Sequence, residues 1–328
     1  MARFQVLALD GGGIRGVFSA ALLADFEKRF NTNITDHFDL IVGTSTGGII
    51  ALGLGLGLSA QQILDFYRDN GAAIFPSLIP SSLRRIPGVG FFNPRNYSSI
   101  FRRKFSNLPL ETALKKALGE DTLLGLSIKR LAITSYDLQR SSVKLFKTAH
   151  HERFRSDYKV PAWQVALATS AAPTYFRAAE ANERFLVDGG LWGNNPIMVG
   201  VTEAIGVLKQ SPRDIRVMSV GTLDEIRTLS RRNVWGGKIL WVKPAIDSMM
   251  AGQATAAHGQ ASLLIGSENI LRINPPVPAG YYQMDDSSCM RELVGIASGE
   301  AEHRSPDFER LFLCHKAQPF SPVYEVAV

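Results

Sequence analysis

The stretch LALDGGGIRGVF, Leu7 to Phe18, indicates the fold of this chain. Its first half belongs to a buried strand pattern, FQVLALD, and its second half opens a helix pattern with an apolar stripe, GVFSAALLADFEKRF. A second apolar strand pattern, FDLIVGTS, follows, and small residues behind it open another helix. Because strands and helices alternate within the first 60 residues, we predict a parallel sheet covered by helices.

The rest of the chain continues this α/β pattern. Ser59 is a candidate N-cap for a helix over AQQILDFYRDNGAAIF. The irregular stretch Pro76–Asn96 is expected to form most of a cap segment at about 76–107. Further strands are expected at RLAITSYDL, VKLFKTA, RFLVDGG, IRVMSVGT and NILRINPP, and further helices over Pro161–Thr169, Pro196–Leu208, Leu240–Ile265, Met290–Ala301 and Pro306–His315. No linker is visible, so we predict one domain over 1–328, with core motifs in 4–222 and a helical C-terminal part at about 230–328.

Composition narrows the classes of partner. The chain has 328 residues, of which 45% are hydrophobic, and a net charge of +6. That charge suits anionic partners such as phospholipid headgroups or nucleotides. No motif that reads nucleic acid is present, so nucleic acid is not an expected partner. The longest apolar stretch, Gly47–Leu58, is too short for a membrane span, which needs about 20 residues.

Sequence features also predict the cellular setting. The chain enters a strand pattern at once and has no secretory signal layout. Cys289 and Cys314 are the two cysteines, and we expect reduced thiols in a cytoplasmic protein. No calcium loop or ligand cluster is visible, so no metal and no other cofactor is expected. A homo-oligomer is left open.

The pattern GTSTG, Gly43 to Gly47, places a serine where a nucleophile would stand. It fits G-x-S-x-G between a strand and a helix, which is the setting of a nucleophile elbow. Such a turn is sharp, so glycines flank it, and Thr44 and Thr46 complete it here. We predict that Ser45 is catalytic; the alternative is a structural serine turn.

An aspartate is the best-placed partner for this serine. RFLVDGGLWGNNP runs a strand into Asp188, and Asn195 with Pro196 then opens a helix. Ligands of open α/β sheets bind at the carboxyl ends of strands. The histidines are worse placed, although His258 and His303 are the least excluded as the base of a Ser-His-Asp carboxylesterase. The six are His37, His150, His151, His258, His303 and His315.

The glycine loop at 11–16 fits either of two anions. It satisfies the G-x-G-x-x-G pattern of a dinucleotide-binding turn. The acidic residue that should end the second strand is missing, because Asp36 and Asp39 precede that strand. Backbone N–H groups at a helix N-terminus also suit the oxyanion of an acyl-transfer reaction. We favour the oxyanion, and a nucleotide-binding module with a structural Ser45 is the rival interpretation.

Three segments in this order, DGGGIRG, GTSTG and DGG followed by NNP, resemble the patatin-like phospholipase family. The resemblance spans about Phe4–Thr222. It implies a three-layer α/β/α fold and hydrolysis of phospholipid esters through an acyl-enzyme, by a Ser-Asp dyad without histidine. By position, the resemblance implies Ser45 as nucleophile and Asp188 as base, with Gly189 and Gly190 in the loop of the base. It also implies oxyanion donors at Gly11, Gly12 and Gly13, in the loop that ends at Gly16. Arg15 would attract the lipid phosphate.

A membrane phospholipid substrate implies that the active protein associates peripherally with the inner face of the membrane. The cap segment offers Arg84 and Arg85 for anionic headgroups, beside apolar residues such as Phe91 that could enter the interface. The alternative is a packed cap that never meets lipid.

More narrowly, the length and the opening LALDGGGIRGVFSAALL resemble bacterial patatin-like phospholipases of CBASS anti-phage defence. That resemblance implies activation by a cyclic dinucleotide such as cGAMP. A constitutive patatin-like lipase or esterase is the alternative. The residues compatible with a nucleotide are the basic ones of the C-terminal half, Arg227, Arg231, Arg232, Lys238 and Lys243.

Overall fold

The fold is that of a computed structural model, which describes residues 3–76, 104–226, 238–278 and 280–326. The strands are β1 Phe4–Leu9, β2 Leu40–Gly43, β3 Arg130–Asp137, β4 Ser142–Lys147, β5 Ala179–Ala181, β6 Arg184–Asp188, β7 Ile215–Val220, β8 Asp224–Ile226, β9 Ile270–Ile273 and β10 Pro276–Pro278. The helices are α1 Gly16–Phe30, α2 Thr46–Gly55, α3 Ala60–Ile74, α4 Leu108–Leu118, α5 Ala162–Ser170, α6 Gly190–Gly193, α7 Ile197–Thr202, α8 Lys238–Ile265 and α9 Met290–Phe308.

Most elements lie where the sequence predicts them. The five later strand patterns form β3, β4, β6, β7 and β9. Ser59 caps α3 as expected, because its Oγ accepts the Gln62 N–H at 3.2 Å and Gln62 Oε1 accepts the Ser59 N–H at 2.9 Å. The cap positions 77–103 and the arginines of 227–237 lie outside the described residues, as do the side chains of Lys238 and Lys243.

The C-terminal helical region differs from the prediction. We expected two helices with a break before Pro306, but α9 runs through that proline and continues as a wider turn at Glu309–Leu313. A proline removes one helical hydrogen bond. Phe308, just beyond it, stacks on Phe26 of α1 with 4.4 Å between ring centroids, and both rings are fully buried. We attribute the continuity of α9 to this packing.

The main sheet has the order β5-β6-β3-β2-β1-β7-β9, with β4 also paired to β3. The five strands β3, β2, β1, β7 and β9 run parallel, while β4 and β6 are antiparallel to β3. A separate parallel pair joins β8 to β10. The predicted α/β fold with a mostly parallel central sheet is confirmed.

Helices cover both faces of this sheet. Side chains alternate along β1, so Leu7 and Leu9 join the core under α1, α2, α3, α5 and α9. Val6 and Ala8 join a second core with α7 and with Ala261 of α8. All four β1 side chains are fully buried. The architecture therefore has three layers, as the resemblance implies.

The strands β2 and β6 share one edge of β3 and point at each other. β2 pairs in parallel with the first half of β3, ending at Gly43 opposite Ile133. β6 pairs antiparallel with the second half, ending with Asp188 opposite Ser135, while β4 occupies the other edge. The two carboxyl ends consequently meet two positions apart along β3. This arrangement brings the GTSTG turn to the DGG turn.

The sequence predicts no membrane-spanning helix, no disulfide and no metal site. Within the described ranges, no helix combines the length and apolar character needed to cross a membrane. Cys289 is buried and Cys314 exposed, and both are free. The same part of the chain holds no group of three His, Cys, Asp or Glu residues that could bind a metal ion.

Candidate active site

Ser45 stands at the tip of the turn between β2 and α2. Its backbone has φ +54° and ψ −124°, a conformation that residues other than glycine rarely adopt. The turn is tight, since a Cβ on Gly43 would lie 2.3 Å from the Gly47 carbonyl oxygen. The Ser45 N–H donates to Thr169 Oγ1 at 2.9 Å, and the Ser45 carbonyl accepts the Ile49 N–H at 3.0 Å. This is the strand–turn–helix geometry that the G-x-S-x-G pattern predicts.

The Ser45 hydroxyl meets the Asp188 carboxylate at the end of β6. Ser45 Oγ donates to Asp188 Oδ2 at 2.6 Å, and Asp188 Oδ1 accepts the Gly190 N–H at 2.7 Å. Both side chains are nearly buried, with Ser45 8% and Asp188 6% exposed. Burial raises the pKa of Asp188 from 3.8 to about 6, against the opposing effect of the hydrogen bonds from Ser45 and Gly190. The carboxylate is therefore a stronger base than a solvated aspartate.

The glycine loop lies directly against the serine. A Cβ on Gly11 would lie 3.0 Å from Ser45 Cβ. The Gly11 N–H donates to the Asn194 carbonyl oxygen at 3.1 Å. The Gly11 carbonyl oxygen accepts the Thr222 hydroxyl at 2.8 Å and, more weakly, Asn194 Nδ2 at 3.5 Å. Hydrogen bonds from two distant segments, at Asn194 and Thr222, thus hold the loop beside the nucleophile.

These contacts show which of the predicted oxyanion donors has its N–H group already bonded. Gly11 was one of three predicted donors, but its N–H is already bonded to Asn194. The N–H groups of Gly12 and Gly13 have no acceptor among the residues that the structure describes. Gly13 has φ +60°, which a glycine adopts without strain. Of the three predicted donors, those of Gly12 and Gly13 are therefore available for an oxyanion.

The Arg15 side chain forms a buried ion pair with Glu225. Its side chain points into the protein, and the residue is 8% exposed. Arg15 Nη1 lies 3.1 Å from Glu225 Oε1, while the Arg15 backbone N–H donates to the Gly12 carbonyl oxygen at 3.2 Å. A lipid phosphate would have to displace this buried ion pair. Attraction of the phosphate by Arg15 stays a prediction, and in this structure Arg15 Nε also donates to the Gly12 carbonyl oxygen at 3.5 Å.

The remaining motif residues connect the three segments. Thr44 Oγ1 donates to the Gly193 carbonyl oxygen at 2.5 Å, which joins the elbow to the base loop. The Thr46 hydroxyl bonds the Tyr67 hydroxyl of α3, and Gly16 lies against the Thr46 side chain. Gly189 packs against Thr134 of β3. Each of the three motifs therefore contacts at least one other segment of the site.

Several residues at the site were missed by sequence reasoning. Asp10, directly before the glycine loop, forms a bidentate ion pair with Arg272 of β9. Arg272 Nη1 donates to Asp10 Oδ1 at 3.0 Å, and Nη2 donates to Oδ2 at 2.5 Å. Burial raises the pKa of Asp10, and the Arg272 charge opposes that rise. Asp10 could have been found as the charged end of a buried strand. Thr169, Thr222 and Arg272 come from distant segments and carry no local signal.

Residues 7–201 match the patatin-like phospholipase family, and all three motifs lie inside that range. The chain belongs to this family. Its members are lipid ester hydrolases, so the family supports that general activity for the chain.

Individual relatives agree with the family match. A cGAMP-activated phospholipase of Vibrio cholerae is 33% identical over 246 residues, covering 71% of this chain and 68% of the relative. A protein of the same name from Pseudomonas aeruginosa is 34% identical over 297 residues, covering 87% and 79%. Patatin-like protein 1 of Oryza sativa subsp. indica is 27% identical over 344 residues, covering 90% and 80%. The similarity thus extends across bacteria and plants.

Proposed function

We propose that this protein is a phospholipase A-type lipid acyl hydrolase that works through a dyad of Ser45 and Asp188. The observation that carries the proposal is the 2.6 Å hydrogen bond from Ser45 Oγ to Asp188 Oδ2. Both residues are nearly buried, and the serine backbone is strained. A nucleophile in hydrogen-bond contact with its base is the arrangement that covalent catalysis requires.

The reaction follows from this geometry in two stages. Asp188 takes the Ser45 proton as Oγ attacks the ester carbonyl, and the N–H groups of Gly12 and Gly13 stabilise the resulting oxyanion. Collapse breaks the ester bond, and Asp188 returns the proton to the leaving lysophospholipid alcohol. Water then attacks the acyl-enzyme while Asp188 accepts a proton from it. A second collapse releases the fatty acid and restores the Ser45 hydroxyl.

The histidines favour the dyad over a Ser-His-Asp carboxylesterase. His150 Nε2 lies 2.9 Å from Glu203 Oε1, and His315 Nε2 lies 2.8 Å from Asp39 Oδ2. His37 lies 2.8 Å from the His315 carbonyl oxygen. Among the hydrogen bonds of the described residues, none joins a histidine to Ser45. The serine hydroxyl has the aspartate as its partner instead.

We further propose that a cyclic dinucleotide activates the enzyme in anti-phage defence, at the inner face of the membrane. Support comes from the names of the Vibrio cholerae and Pseudomonas aeruginosa relatives, which are cGAMP-activated phospholipases. The net charge of +6 is compatible with both an anionic activator and an anionic lipid surface. The alternative is a constitutive patatin-like lipase.

The test is fatty-acid release from anionic phospholipid vesicles, with and without cGAMP. We expect the wild-type protein to release fatty acid with cGAMP and to be nearly inactive without it. His258→Ala and His303→Ala are expected to keep the wild-type rate, because neither histidine takes part in proton transfer. Equal activity without cGAMP would leave a constitutive lipase, and loss of activity in either histidine variant would contradict the dyad.

The pH dependence of the activity follows from the raised pKa of Asp188. The base must be deprotonated to accept the Ser45 proton, and its pKa is about 6. We therefore expect kcat/KM for a soluble ester to rise with pH through about 6 and to level off above it, falling tenfold per pH unit on the acid side. A profile that is flat down to about pH 4 would show that an aspartate with this pKa is not the base.

A further inference from the structure

Thr222 lies behind the glycine loop, two residues beyond the end of β7. It is 4% exposed, and its Oγ1 donates to the Gly11 carbonyl oxygen at 2.8 Å. A Cβ on Gly12 would lie 2.1 Å from Thr222 Oγ1, so the loop packs directly on the Thr222 hydroxyl. The Thr222 hydroxyl is bonded to the loop and takes no part in the Ser45–Asp188 hydrogen bond.

The carbonyl that Thr222 holds shares a peptide unit with the Gly12 N–H. A peptide unit is planar, and in the trans form its C=O and N–H point in opposite directions. The described part of the chain has no cis peptide bond. Anchoring the Gly11 carbonyl oxygen on Thr222 therefore aims the Gly12 N–H away from Thr222. That N–H has no acceptor among the described residues.

The anchor matters because glycines restrain the loop poorly. Glycine has the widest backbone freedom of any residue, so a plane between two glycines turns easily. If the plane turned, the Gly12 N–H would leave the position where an oxyanion forms. A fixed donor stabilises a transition state because it needs no reorganisation during the reaction.

We infer that Thr222 is a positioning residue for catalysis, whose hydroxyl orients the Gly12 N–H toward the developing oxyanion. The inference rests on the proposed function, since it concerns the oxyanion of that reaction. Thr222 touches neither the substrate nor the reacting atoms; it acts through the Gly11–Gly12 peptide.

The test compares Thr222→Val, which removes the hydroxyl but keeps the shape, with Thr222→Ser, which keeps the hydroxyl. We expect Thr222→Val to lower kcat by about 10- to 100-fold with little change in KM. A trifluoromethyl ketone lipid, which forms a tetrahedral adduct with the serine, should bind the variant more weakly by a similar factor. Binding of a non-hydrolysable ether phospholipid should not change, and Thr222→Ser should restore most of kcat.

Thr148→Val is the matched control, because Thr148 is also buried and its Oγ1 is bonded to the backbone, accepting the Leu131 N–H at 3.0 Å. It lies in the β3–β4 region, away from the glycine loop, and should keep wild-type kcat. Wild-type kcat and inhibitor affinity in Thr222→Val would overturn the inference, and so would a lower kcat with unchanged inhibitor affinity. If Ser45→Ala is inactive in the same assay, such a result leaves the proposed function standing; an active Ser45→Ala would remove both.

Discussion

Ser45→Ala is expected to lower kcat for phospholipid hydrolysis by about 10⁴- to 10⁶-fold, the range seen when a serine nucleophile is removed. The substitution deletes the atom that forms the acyl-enzyme and leaves Asp188 with the Gly190 N–H as its donor. Alanine can take the same backbone conformation as serine, with the same strain at φ +54°. The fold should therefore survive, and the loss should appear in kcat.

Two measurements check this prediction. Fatty-acid release from anionic vesicles with cGAMP gives kcat, and labelling by a fluorophosphonate reports the activated serine directly. Ser127→Ala is the matched control, because Ser127 is 5% exposed and its Oγ donates to the Gly55 carbonyl oxygen, outside the site. The control should keep both activity and labelling. Fatty-acid release by Ser45→Ala at the wild-type rate would remove the catalytic assignment and return the glycine loop to consideration as a nucleotide site.

The sequence contains enough information to identify the two proposed catalytic residues. Ser45 and Asp188 each end a recognisable strand pattern and precede a glycine turn, and both signals are local. The parallel core could also be predicted, because it follows from alternating strand and helix patterns. How the two residues meet could not be predicted, since it requires β6 to run antiparallel along the edge of β3 that β2 has left free. Strand direction in a sheet has no local sequence signal.

The glycine loop shows which details a sequence motif does not specify. Its pattern predicts N–H donors, but whether a given N–H is free depends on distant residues. Asn194 takes the Gly11 N–H, and Glu225 takes the Arg15 guanidinium. Each partner follows the residue that it bonds by more than 180 positions in the sequence. Side-chain partners at such separations follow from the packed fold, and a motif near the N-terminus cannot specify them.

Burial of Asp188, the proposed base, lowers the stability of the folded protein at neutral pH. Asp188 has a pKa of about 6 in the folded protein, above the 3.8 of a free aspartate. A group whose pKa is raised on folding contributes most to stability below the unfolded pKa, and that contribution is lost as pH rises through the folded pKa. A shift of about two units corresponds to about 3 kcal/mol. At neutral pH the protein thus holds an ionised carboxylate at the expense of stability.

Asp188→Asn is accordingly expected to lower kcat by about 10³- to 10⁴-fold and to raise the free energy of unfolding at neutral pH. The asparagine cannot accept the Ser45 proton, which explains the loss of activity. It carries no charge to desolvate, and its side chain can still accept the Gly190 N–H. The gain in stability should reach at most about 3 kcal/mol above pH 6 and should fade below about pH 4, where the wild-type carboxyl is protonated in both states.

Urea unfolding of both proteins across this pH range measures the stability difference, and the vesicle assay measures kcat. Asp121→Asn is the control. Asp121 is exposed, so this substitution removes the same charge at the surface. It should change neither quantity appreciably. A variant at position 188 that is less stable than wild type at pH 8 would mean that the carboxylate stabilises the fold, and the burial argument would be wrong. A variant that keeps wild-type kcat would exclude Asp188 as the base, because no proton acceptor of comparable strength replaces a carboxylate there.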